Sequence, residues 1–207
     1  MFCTGDYDRL RYEVLERYRD SDIPVTFGVL IADYDQRESQ EFILNYLDRF
    51  HRRSGKLFDF FIPGYVSGYH SADMKRVKYG GKEYYWQKGL FDSFLEQFEK
   101  QFGIRYEYNP MLILMEHSNV EGYRGKRIII DLCEEPHGVR KAGVLFDKIF
   151  SIAEEYVSIE EFSENLASMY MKGALTDTIV AALGIFDNGA LSQLPERMSR
   201  ARRYRLR

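Results

Sequence analysis

Residues 25–32 constrain the fold most, because they form a continuous run of mainly apolar and β-branched residues, VTFGVLIA. A run without polar alternation is typical of a strand that is covered on both faces, and such strands occur mainly in α/β proteins. A charged helix precedes this strand and carries an apolar stripe at Leu10, Val14 and Tyr18. We therefore expect an α/β fold with the first helix on the outside of the domain.

A second helix and a second strand are predicted next. Asp35 and Glu38 have the spacing of a capping box at a helix start. The apolar face predicted for this helix consists of Phe42, Ile43, Tyr46, Leu47 and Phe50. Residues 56–62 (KLFDFFI) predict the second strand. Because a closely connected strand, helix and strand form a right-handed crossover, the two strands should be parallel.

The elements that follow predict a four-stranded mixed sheet. A further helix is indicated by the stripe Phe91, Phe94, Phe98 and Phe102, with Gly103 as its stop. Pro110 precedes a third strand at residues 111–115, and residues 127–133 form a fourth, joined to it by a short polar connection. We expect the order fourth, third, first, second, with the third strand antiparallel to the others.

Residues 63–90 interrupt this core as an insertion rich in aromatic residues. Gly80 and Gly81 lie between RVKY and KEYYW, which predicts a β-hairpin with a two-residue turn at positive φ. Cations and aromatic rings alternate along the insertion. They are Lys75, Arg76, Lys78, Tyr79, Lys82, Tyr84, Tyr85, Trp86 and Lys88.

Three helices are predicted after the fourth strand, at residues 145–156, 158–169 and 175–186. They would brace the sheet or form the contact of a homodimer. We therefore expect one α/β domain at residues 1–190, with a C-terminal helical extension at 157–188. Residues 191–207 are an Arg-rich tail that could contact an acidic partner or a polyanion, or serve as a solubilising end.

Composition restricts the environment and the partners. The net charge of -3 argues against nucleic-acid binding by the whole surface. Cys3 and Cys133 fit neither a disulfide framework nor a four-ligand zinc site, which favours a reducing cytoplasm. The N-terminus has no basic region followed by an apolar stretch, and no apolar run approaches the length of a membrane span. We expect a cytoplasmic protein without a membrane partner.

Over residues 25–156 the order strand, helix, strand, helix, strand, strand, helix, with Pro110 before the third strand, resembles the thioredoxin-like superfamily. The resemblance implies that the loop at Pro110, where the family usually has a cis proline, presents backbone to a ligand or partner. The family's Cys-x-x-Cys position reads Ala-Asp-Tyr-Asp-Gln at residues 32–36. Without either thiol, disulfide exchange is not expected.

Carboxylates should gather at one edge of this sheet. With one strand between them, Asp33 and Asp131 would lie about 10 Å apart, where open α/β sheets commonly bind ligands. Such oxygen ligands with a histidine can hold Mg²⁺ or Mn²⁺ and activate water. The candidate catalytic residues are Asp33, Asp35 and Asp131, and the candidate metal ligands are Asp33, Asp35, Asp131, Glu134 and His137, with Glu135 beside them. A helix cap at Asp35 and solvated loop glutamates are the simpler interpretation.

Two other functions are open to the insertion. Its rings and cations could dock a protein partner, or pair with phosphate while stacking bases, although some of the rings should pack inward. The candidate binding residues are Pro110, Tyr79, Tyr84, Tyr85, Trp86, Lys82 and Arg76.

From these patterns we expect a redox-inactive thioredoxin-like binding or regulatory protein that has no cofactor and acts on a protein partner. The alternatives are a hydrolase or nuclease that depends on Mg²⁺ or Mn²⁺, and a sensor of nucleotides or nucleic acid.

Overall fold

The structure is a computed structural model. It describes residues 2–21, 23–54, 59–68, 74–118, 122–131, 146–147, 149–151, 165, 182–185 and 204–205. The strands in this part of the chain are β1 (Phe2–Thr4), β2 (Val25–Ile31), β3 (Asp59–Pro63), β4 (Tyr65–Val66), β5 (Arg76–Tyr79), β6 (Lys82–Trp86), β7 (Met111–Ser118), β8 (Gly122–Asp131), β9 (Ala182–Ile185) and β10 (Tyr204–Arg205). The helices are α1 (Tyr7–Tyr18), α2 (Arg37–Phe42), α3 (Leu47–Ser54) and α4 (Lys88–Phe102), with a 3-10 turn at Leu44–Tyr46.

The fold is a mixed α/β arrangement around a mixed sheet. Five strands run through the sheet in the order β1-β3-β2-β7-β8. β1 and β2 both pair in parallel with β3, whereas β7 is antiparallel to its neighbours β2 and β8. The order and directions of β8, β7, β2 and β3 are those predicted. The sheet is larger than the predicted four strands. β1 adds an edge strand beside β3 that three residues were too short to indicate, and β9 and β10 both pair with β8.

Both faces of the sheet are covered. On β3, Phe60 and Phe61 are consecutive and therefore point to opposite faces, and both are buried. Phe60 contacts Phe146 and Phe150, whose ring centroids lie 6.0 and 5.4 Å away. On β2, residues 27–31 are all buried, which explains their continuous apolar sequence.

The helix predicted between β2 and β3 is divided. The chain forms α2, the 3-10 turn and α3 in succession, and Tyr46 in the turn is 45% exposed and not on the buried face. Ile43, Leu47 and Phe50 are buried as expected. The predicted capping box is wrong: Gln36 is the N-cap residue of α2 and makes no side-chain capping bond. Asp35 instead pairs with Lys75.

A second sheet forms in the insertion, in the order β4-β6-β5. The hairpin of β5 and β6 is confirmed, with φ of 56° at Gly80 and 74° at Gly81. Glycine adopts such angles without the steric cost that a Cβ brings.

At its outer edge, β8 pairs with β9 in antiparallel and with β10 in parallel orientation. Residues 182–185 are therefore a strand where the spacing of apolar residues predicted a helix, because pairing with an open strand edge outweighs a local helical pattern. Most of the predicted extension at 157–188 and of the tail at 191–207 lies outside the described residues. None of the described helices is long and apolar enough to cross a membrane.

Candidate binding site at the Pro110 edge

Two loops meet where β2 ends and β7 begins. Ile31, the last residue of β2, pairs with Met111, the first residue of β7. The residues that follow Ile31 therefore lie beside those that precede Met111. We call residues 32–36 together with residues 106–110 the Pro110 edge. It lies at the carboxyl end of a central strand, the usual place for ligands in open α/β sheets.

Asp33 organises the first of these loops. Its side chain is only 6% exposed, and its Oδ1 accepts a hydrogen bond of 2.8 Å from the backbone N–H of Asp35. The carbonyl of Asp33 accepts a second bond, of 3.2 Å, from the backbone N–H of Gln36. A carboxylate that closes a turn on its own backbone in this way stabilises the loop that leads into α2.

Charges of both signs lie at this loop. Lys75 forms an ion pair with Asp35, and its Nζ lies 6.0 Å from the centroid of the Tyr34 ring. At the start of α4, Lys88 donates a hydrogen bond of 3.0 Å to Asp92, which is the largest cause of the raised pKa of Lys88. The charges of Asp33 and Asp35 raise that pKa further. The edge therefore presents ammonium and carboxylate groups together.

Aromatic rings form the rest of the surface. Tyr34 stacks on the buried Trp86 with 6.5 Å between ring centroids. Across the edge, the hydroxyl of Tyr106 donates a hydrogen bond of 3.2 Å to Oε1 of Gln36. Burial, and to a smaller extent the charge of Asp33, raise the pKa of Tyr106, so its hydroxyl stays protonated. This bond ties the two loops of the Pro110 edge together.

Tyr108 is the most exposed of these rings. Its side chain is 78% exposed, and its ring centroid lies 5.8 Å from that of Tyr106. Its backbone has a φ of 62°, in the left-handed region that L residues rarely adopt. Pro110, two residues later, is buried, and the Asn109–Pro110 bond is trans. The trans bond differs from the cis proline that the resemblance implied.

The hairpin residues divide between the core and the surface. Tyr79 and Trp86 are 2% and 6% exposed, so they serve packing and offer no surface to a partner. Tyr84 and Tyr85 are half-buried. The rings of Tyr79 and Tyr84 are stacked, with 4.6 Å between their centroids. Among the predicted cations, Arg76 and Lys82 are exposed. Arg76 forms an ion pair with Glu83, with 3.5 Å between a guanidinium nitrogen and Oε2.

Cys3 lies beneath the hairpin, away from the Pro110 edge. Its Sγ accepts a hydrogen bond of 3.3 Å from the hydroxyl of Tyr79. Burial raises the pKa of the Cys3 thiol to about 12, and the bond from Tyr79 offsets only part of that effect. Cys3 is therefore a neutral thiol near neutral pH and a poor nucleophile. Cys133 lies outside the described residues.

The predicted metal ligands are described in part. Met111, which pairs with Ile31, also pairs with Asp131 on its other side, so one strand separates Asp131 from the end of β2. Glu134, Glu135 and His137 lie outside the described residues. Within the described part of the chain, no group of three or more His, Cys, Asp or Glu side chains is arranged to hold a metal ion.

The sequence prediction named Asp33, Asp35 and Pro110 as candidates, and it did not include Tyr106 and Tyr108, which lie at the same edge. The available signal was the segment YEYNP at residues 106–110, in which two tyrosines directly precede the proline of a predicted strand. In comparisons with known proteins, no protein-family model, no curated protein and no solved structure matches the chain.

Proposed function

We propose that this protein is a redox-inactive binding protein, with a thioredoxin-like arrangement of β2, β3, β7 and β8, that docks a partner polypeptide at the Pro110 edge. The observation that carries the proposal is the conformation of Tyr108, an aromatic side chain 78% exposed on a backbone with a φ of 62°. A left-handed L residue costs about 1–2 kcal/mol. Such strain is concentrated at functional sites, and exposed tyrosines are frequent anchors in protein interfaces.

The surroundings of Tyr108 fit a polypeptide better than a nucleic acid. Asp33 and Asp35 would repel phosphate, and Lys75 is already paired with Asp35. Tyr34 and Tyr106 add half-buried rings next to hydrogen-bonding groups. Interfaces of this kind gain affinity from aromatic burial at the centre and specificity from the polar rim. Docking of a metal ion at Asp35 would have to break the pair with Lys75, and the hydrolase alternative stays a prediction.

The test is affinity purification of the tagged full chain from its native cells, with the variant Tyr108→Gly beside the wild type. Glycine adopts a φ of 62° without strain, so this variant should fold with undiminished stability while it loses the aromatic anchor. We expect a stoichiometric polypeptide with the wild type and at least tenfold less of it with Tyr108→Gly.

Tyr46→Ala is the matched control, because Tyr46 is an exposed tyrosine in the 3-10 turn, outside the Pro110 edge. It should recover as much of the polypeptide as the wild type does. Recovery of the same polypeptide in full by Tyr108→Gly, or repeated purification of the wild type without any stoichiometric polypeptide, would contradict the proposal.

A further inference from the structure

The outer face of α1 carries two apolar side chains that stay about half exposed in the described part of the chain. Tyr12 is 54% exposed and Leu15 is 48% exposed, whereas Leu10 and Val14 on the opposite face are buried. Asp8 and Arg19 are exposed as well. At about 100° per residue, positions 8, 12, 15 and 19 fall on one stripe, with the alternating spacing of four and three that helix pairs use. We call Asp8, Tyr12, Leu15 and Arg19 the α1 stripe.

Two copies of the α1 stripe that run in opposite directions place complementary charges and apolar side chains opposite one another. Its acidic end at Asp8 and its basic end at Arg19 lie at equal distances from its midpoint, and Tyr12 and Leu15 lie symmetrically between them. In an antiparallel pair of two such helices, Asp8 of each copy therefore lies opposite Arg19 of the other. Tyr12 of each copy lies opposite Leu15 of the other. A two-fold axis requires this kind of self-complementarity.

We propose that the α1 stripe binds a second copy of this chain as an antiparallel helix pair. Arg19, the C-cap residue of α1, is paired with Glu16 of that helix, and its guanidinium has enough donors to bind a second carboxylate. The guanidinium of Arg9 lies 5.2 Å from the centroid of the Tyr12 ring, which holds the ring at the edge of the stripe. The proposal is independent of the Pro110 edge, to which the α1 stripe contributes no residue.

The dimer is weak. The 12 residues of α1 give a contact about 18 Å long, at about 1.5 Å per residue. A single helix pair of that length buries less than the roughly 800 Å² per partner that is usual for a stable complex. Its dissociation constant should therefore lie in the micromolar range or above.

Sedimentation velocity of the full chain from about 5 µM to about 1 mM tests this. We expect the weight-average mass to rise from monomer to dimer across this range. Tyr12→Ser with Leu15→Ser should keep the chain monomeric throughout. Salt should weaken the dimer, because two of its contacts are exposed ion pairs.

Charge reversal provides the sharper test. Asp8→Arg alone and Arg19→Asp alone each place like charges opposite one another and should raise the dissociation constant at least tenfold. The double variant Asp8→Arg, Arg19→Asp should restore the dimer, although both changes oppose the helix dipole and neither favours α1 itself. Glu96→Arg, on the exposed face of α4, is the control and should leave the dimer unchanged.

A wild-type chain that stays monomeric up to about 1 mM would overturn the proposal. A dimer that persists unchanged in both single charge variants, or that the double variant fails to restore, would do the same.

Discussion

The hydroxyl of Tyr65 donates a hydrogen bond of 2.9 Å to the backbone carbonyl of Ala32, and this contact joins the second sheet to the end of β2. Tyr65 is fully buried, and its ring centroid lies 4.9 Å from that of Trp86. Trp86 in turn stacks on Tyr34. The insertion is therefore part of the core, and its buried residues Tyr65 and Trp86 contact residues 32 and 34 of the Pro110 edge.

Tyr65→Phe should destabilise the protein by about 1–2 kcal/mol, because the buried carbonyl of Ala32 loses this donor while the ring remains. Urea unfolding followed by circular dichroism measures the change. Tyr12→Phe, which alters a 54% exposed tyrosine, should leave the free energy of unfolding the same within about 0.5 kcal/mol. Equal stability of Tyr65→Phe and the wild type would mean that the bond does not join the two sheets.

The two glycines of the hairpin turn distinguish the cost of a positive φ from the cost of a steric clash. A Cβ on Gly81 would meet no atom within 4 Å, so Gly81→Ala suffers only from its φ of 74° and should cost about 1–2 kcal/mol. A Cβ on Gly80 would come within 2.7 Å of Nε2 of His51. Gly80→Ala should therefore cost more than Gly81→Ala in the same urea titration. If the two variants lose equal stability, the contact between the turn and His51 has no energetic weight.

The order of β2, β3, β7 and β8 could be predicted because each strand is marked by its own apolar run and bounded by local signals, such as Gly103 after α4. The division between α2 and α3 could not, because the positions of Ile43 and Leu47 fit one continuous helix as well as two short ones. The strand at 182–185 forms by pairing with β8, and the sequence of residues 182–185 alone does not indicate that this strand is nearby.

The residues that lie at the Pro110 edge could be named from the sequence only in part. Asp33 could be found because it directly follows a strand, whereas its role in the turn needed the hydrogen bond to Asp35. Tyr79 and Trp86 remained among the candidate binding residues because alternation along a hairpin predicts that some rings are covered but does not say which ones. Tyr108 depends on a backbone angle, which the amino-acid type alone does not indicate.

Cys3 should resist alkylation in the folded protein. With a pKa raised to about 12 by burial, on the order of one thiol in ten thousand is ionised at pH 8. Iodoacetamide at pH 8, followed by mass spectrometry of the peptide that contains Cys3, should show no modification over an hour. The same treatment in guanidinium should give complete modification. Rapid modification of Cys3 in the folded state would refute its assignment as a partly buried, neutral thiol.

The final prediction concerns alkaline pH. In the described part of the chain, burial is the largest cause of a raised pKa at five tyrosines, namely Tyr7, Tyr18, Tyr65, Tyr79 and Tyr106. In the unfolded chain these hydroxyls ionise near the ordinary value of 10.0, whereas in the native protein they stay protonated to higher pH. The native state then binds more protons than the unfolded state. The stability contributed by these groups is therefore complete below pH 10 and is lost as the pH rises above it.

The size of this loss is set by how many tyrosines stay protonated. Each contributes up to about 1.4 kcal/mol per pH unit above 10. Arg127 acts in the opposite direction, since burial lowers its pKa from 12.5 to about 10, but it offsets one proton at most. Urea unfolding from pH 8 to 11, with tyrosine ionisation followed at 295 nm, should show a steep decrease in stability above pH 10. Tyr79→Phe should make the slope shallower by about one proton, and the exposed Tyr12→Phe should not. A free energy of unfolding that stays level from pH 9 to 11 would show that these hydroxyls ionise in the native protein as they do in the unfolded chain.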